Sequence, residues 1–69
     1  MGAPAELSSI EENVMKYLVS GLTVGETAER LGLSNLLIGS VLKTVRRKLA
    51  AKTNLQAAAR FAVQQRIRA

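Results

Sequence analysis

The stretch TVGETAERLGLSNLLIGSVLKTVRRKL, residues 23–49, decides how the chain folds. Thr23 stands three residues before Glu26. In that pattern a hydroxyl accepts from the backbone at a helix start while the glutamate reaches back to the N–H of the cap. The helix so opened should run over about 24–31, with Thr27, Ala28 and Leu31 on its inner face and Gly32 closing it. Leu33 fills the turn, and Ser34 can cap a third helix of about 35–49. Only Gly-Leu-Ser separates the two. A short glycine-containing turn between two helices is the mark of a helix-turn-helix unit.

The same signals recur on either side. Ser8 with Glu11 three residues on is a second capping box, followed by Val14, Met15 and Leu18 at helical spacing and by Gly21 as a closing residue. Thr53 and Gln56 cap a fourth helix over about 54–66. Its alanines 57, 58, 59 and 62 pack closely, and Leu55, Phe61 and Val63 should supply bulk. No segment alternates with period two for long enough to make a strand. The expected fold is all-α, a four-helix helix-turn-helix domain over residues 7–69, with MGAPAE (residues 1–6) as a flexible linker.

Composition narrows the function. The 69 residues contain no cysteine and no histidine, so disulfides, thiolate metal sites, the commonest general base and the usual pH switch are all missing. All five acids are glutamates, and Glu11 and Glu26 are placed for helix starts. No catalytic residue, metal site or cofactor site is expected. No run of about 18 apolar residues could cross a membrane, and the N-terminus lacks the order of a signal peptide. A cytoplasmic, nucleoid-associated protein is the expected setting. Charge is divided along the chain: residues 1–34 hold Lys16 and Arg30 against all five glutamates, whereas residues 35–69 hold eight cations and no acid. One-sided positive charge favours a polyanion, nucleic acid first and an anionic membrane second. The membrane option is poor, because the apolar stripe of the third helix is needed for the core.

At about 100° per residue, Ile38, Leu42, Val45 and Leu49 form the inner stripe of that helix. Leu36, Ser40, Lys43 and Arg47 lie opposite, with Gly39 near the edge. Leu37, Val41, Thr44 and Lys48 make one shoulder, and Arg46 lies on the other flank. Gly39 and Ser40 permit close approach to base edges, and Lys43 and Arg47 can reach a base or a phosphate. Arg46 and Lys48 suit backbone phosphates. Ser34, Asn35 and the free N–H groups at the helix start can add another phosphate contact. The plain alternative is a solvated helix end, where cations favour the C-terminal dipole.

Residues 7–63 resemble the LuxR-type (NarL- or GerE-like) helix-turn-helix domain. The matching stretches are LSSIEENVM, GLTVGETAERLGLS, RRKL and TNLQAA, in the order and spacing of the family. Gly21, Glu26, Ala28 and Leu31 together are specific. The resemblance implies double-stranded DNA as partner, with the third helix in the major groove. It also implies that the fourth helix pairs two copies as a weak homodimer on DNA, with Ala58, Ala59 and Ala62 suited to close approach. It implies a regulatory N-terminal domain in a longer transcription regulator of the response-regulator kind. Several positions depart from the pattern. Leu37 stands where threonine is usual, Val41 where histidine is common, and Leu36 and Gly39 where lysine is common. Thr27 replaces a core isoleucine and Ala50 a glycine, while Lys43, Arg47 and Lys48 match positions that are commonly basic. Two readings of the exposed face therefore stand side by side. It is a DNA-binding surface, or a protein-interaction surface on the same scaffold that uses Leu36, Leu37 and Val41.

Overall fold

The computed structural model describes residues 6–68, of Arg68 the backbone alone. Residues 1–5, most of the expected linker, and Ala69 lie outside the described residues. Four helices follow in order: α1 Ser9–Val19, α2 Val24–Leu31, α3 Asn35–Lys48 and α4 Asn54–Arg68. No strand occurs among the described residues. The expected elements are all present, with α3 one residue shorter and α4 two residues longer than the sequence suggests. None of the described helices is long and apolar enough to cross a membrane.

Local chemistry starts each helix. Ser8 and Glu11 form the capping box of α1, in which the Ser8 N–H donates to Glu11 Oε1 at 2.8 Å. Thr23 and Glu26 form that of α2, with a matching 2.8 Å bond. Ser34 accepts from the Leu37 N–H at 3.1 Å, but an apolar residue at the third position leaves this cap one-sided. At α4 the Gln56 N–H donates to Thr53 Oγ1 at 3.0 Å. The Gln56 side chain accepts from the Lys52 N–H rather than completing a box with Thr53.

The first three helices end alike. Gly21, Gly32 and Ala50 each adopt positive φ, at 103°, 68° and 55°. In each case two crossing backbone bonds close the last turn: Gly21 N–H to Leu18 and Leu22 N–H to Tyr17, Gly32 to Glu29 and Leu33 to Ala28, Ala50 to Arg47 and Ala51 to Arg46. This is the Schellman arrangement, which favours glycine because a Cβ crowds the left-handed region. Only Ala50 departs from the rule. Replacing Ala50 with glycine is expected to stabilise the domain by about 0.5–1 kcal/mol. The melting temperature should rise by roughly 2–8 °C. A thermal melt in which Ala50→Gly equals or falls below the parent would show that the turn carries no strain.

Helix α3 is the centre of the packing. It touches α1, α2 and α4, and α1 also touches α2 and α4, whereas α2 and α4 do not pack on each other. The core contains Val14 and Met15 of α1, Ala28 of α2, Ile38, Leu42 and Val45 of α3 with Leu49 at its end, and Ala57 and Phe61 of α4. The inner stripe of α3 is thus buried as its periodicity requires. Thr27 is also fully buried. Its hydroxyl donates to the Thr23 carbonyl at 2.9 Å, so a polar side chain sits in the core with its bond made.

Helix α4 corrects one expectation. Leu55 and Val63 do not supply core bulk; they are exposed, Leu55 at 83%. The turn of the helix explains this, because Ala57 and Phe61 one turn apart define the inner face and place residues 55, 59 and 63 on the other side.

Candidate nucleic-acid interface

The exposed face of α3 carries the arrangement expected of it. Leu36, Gly39, Ser40, Lys43 and Arg47 are all exposed, on the side opposite Ile38, Leu42 and Val45. Leu36 and Arg47 are about 16 Å apart along the axis at the helical rise. Asn35 and the cap residue Ser34 are exposed at the helix start. No acidic residue stands in the first turn of α3, so apart from the Ser34 hydroxyl cap no negative charge offsets the partial positive charge of its N-terminus. Lys43 and Arg47 make no hydrogen bond or ion pair among the described residues, which leaves both heads available.

The remaining candidates are engaged inside the domain. Thr44 is half-buried and its hydroxyl donates to the Ser40 carbonyl at 3.3 Å. Arg46 donates to the side-chain oxygen of Asn54, which ties the flank of α3 to the start of α4. Lys48 is the most committed. Its Nζ lies 2.9 Å from Glu11 Oε1 and 3.1 Å from the carbonyl oxygen of Glu6, so it clasps the start of α1. Glu6, expected in the flexible linker, is held by this contact.

Glu11 Oε1 therefore accepts twice, from the Ser8 N–H and from Lys48. Burial pushes the Glu11 carboxyl up. The Lys48 ammonium and the bonds from Ser8 outweigh it and hold the group below the ordinary carboxylate range. A carboxylate with a lowered folded pKa contributes stability that is present above its unfolded value and lost as pH falls through the folded value. Thermal melts should show the parent losing stability on acidification below about pH 4.5, and Glu11→Gln should flatten that part of the profile. An unchanged slope in Glu11→Gln would remove Glu11 as its source.

The apolar positions divide. Leu36 is 86% exposed and Leu37 is 47% exposed. Val41 is half-buried and packs against the core. The protein-docking patch read from the sequence thus narrows to two leucines. On α4, Ala59 is exposed, but Ala58 packs against the core and Ala62 is half-buried. Leu55, Ala59, Val63 and Ile67 instead share an exposed face, recurring every four residues. The spacing of that stripe was present in the sequence, whereas the partnership of Lys48 with Glu11, 37 residues away, had no local signal.

Neither a curated protein nor a solved structure matches the chain at a significant level. The family model of bacterial regulatory proteins, luxR family, matches residues 5–62, which takes in α1, α2, α3 and the greater part of α4. The chain belongs to the luxR family of bacterial regulatory proteins, as a helix-turn-helix DNA-binding domain.

Proposed function

We propose that the chain binds DNA sequence-specifically as the output domain of a bacterial transcription regulator, with α3 lying in the major groove. One observation carries this reading. Leu36, Ser40, Lys43 and Arg47 share the exposed face of the second helix of the helix-turn-helix unit, and no acid occurs from residue 35 onward. Lys43 and Arg47 meet bases or phosphates, and arginine can bond guanine through two donors. Gly39 and Ser40 face the base edges, and Thr44 lies at the margin. The uncapped N–H groups beside Ser34 and Asn35 face a phosphate. Arg46 keeps N–H groups beyond the one given to Asn54, and these reach a flanking phosphate; Lys48 serves mainly to hold Glu11.

Two copies meet on DNA through the exposed stripe of α4, built on Leu55, Ala59 and Val63. These apolar groups gain from being covered, and Ala59 allows close approach. In a longer protein, a regulatory domain preceding this one would control access to DNA.

The test is a two-dimensional amide NMR titration with a DNA duplex at low and then moderate salt. Shifts centred on residues 34–47 that shrink as salt rises are expected, since cations bound to phosphate exchange with counterions. A spectrum unmoved at low salt would end the DNA reading for this chain.

A further inference from the structure

We propose that α3 reads thymine through its 5-methyl group, with Leu36 as the contacting side chain and Gly39 as the gap that lets the helix sit close enough for contact. This inference rests on the DNA-binding reading above and adds the base that is read and the group that reads it.

Leu36 is the most exposed large apolar residue of the described chain. It has no place in the core and does not pack against it. It stands on the same face as Lys43 and Arg47, so whatever covers Leu36 also meets two cations that have no partner among the described residues. That charge favours a polyanion over an apolar protein surface as the occupant. The side chain cannot donate or accept a hydrogen bond. In the major groove the one apolar group it can complement is the C5-methyl of thymine, which no other base presents.

Gly39 supplies an independent observation. It lies inside α3 and does not have positive φ, so its backbone does not require glycine. A Cβ built there meets nothing within 4 Å, so packing does not require glycine either. Glycine within a helix is less stable than alanine. Nothing among the described residues offsets that cost, and close approach of an external surface would. The first half of α3 has no cation on this face, with Leu36, Gly39 and Ser40 in sequence. That half reads by shape and apolar contact, and the second half holds the duplex through Lys43 and Arg47.

The experiment uses the 69-residue chain. A preferred duplex is selected from a random pool and compared with an identical duplex carrying deoxyuridine for thymidine. The parent, Leu36→Ala and Gly39→Ala are each measured on both. The parent should lose about fourfold in affinity for each contacted methyl removed. Leu36→Ala should show a similar loss on the thymine duplex and little further loss with uracil. Gly39→Ala should melt at a higher temperature than the parent yet bind both duplexes more weakly. Equal parent affinity for the two duplexes, with binding still dependent on salt, overturns the methyl contact and leaves DNA binding intact. Gly39→Ala binding as tightly as the parent overturns the close approach. Absence of salt-dependent binding to either duplex overturns both readings and returns Leu36 and Leu37 to a protein partner.

Discussion

Replacing Lys43 and Arg47 together with alanine is expected to weaken binding to duplex DNA by roughly 2–6 kcal/mol, a loss of about thirtyfold or more. Both residues are exposed and make no bond among the described residues, so the folded state should hardly notice the change. Alanine is also the best helix former, which removes a second source of instability. The measurement is a pair of isotherms at fixed salt beside a thermal melt. A double variant that binds as tightly as the parent would place the DNA contact elsewhere on the basic half of the chain. The single variants then separate two roles. A loss that is equal on all sequences marks a phosphate contact, and a loss confined to the preferred site marks a base contact.

The second large effect concerns folding. Phe61→Ala should cost about 3–5 kcal/mol through lost burial and the cavity left behind. Total stability of a 69-residue domain is of order 3–10 kcal/mol, so much of it would be lost. The position is sensitive because, among the described residues, α4 offers only Ala57 and Phe61 to the core as fully buried side chains. The expected result is a melting temperature lower by at least about 12 °C, or no cooperative transition at all. A shift of only a few degrees would mean that α4 is docked by its half-buried alanines and glutamines rather than by Phe61.

The fold was legible because its signals are local. Ser8 with Glu11, Thr23 with Glu26 and Ser34 each mark a helix start within four residues. Gly21 and Gly32 mark helix ends just as closely. The inner stripe of α3 was readable because apolar and polar residues separate cleanly around that helix. Helix α4 was harder. It has no acid and carries apolar groups on two faces, so periodicity alone did not say which face is inside. The bulk of Leu55 and Val63 suggests an inward face, yet Ala57 and Phe61 hold that side. In the candidate site, the exposed line from Leu36 to Arg47 followed from helical geometry. The internal commitments of Lys48 and Arg46 did not, because their partners Glu11 and Asn54 come from other helices and only packing brings them together.

The doubly used oxygen of Glu11 has a dynamic consequence. Helix ends are where a small domain ordinarily opens first, one terminus at a time. Here the cap of α1 and the clasp on Lys48 share a single carboxylate oxygen, and Lys48 also grips the Glu6 carbonyl, 42 residues away in sequence. Fraying of the first turn of α1 would break the clasp on Lys48 together with the cap. Amide protons of that turn should therefore exchange faster in Lys48→Ala than in the parent, while the backbone bonds that close α3 keep its last turn in place.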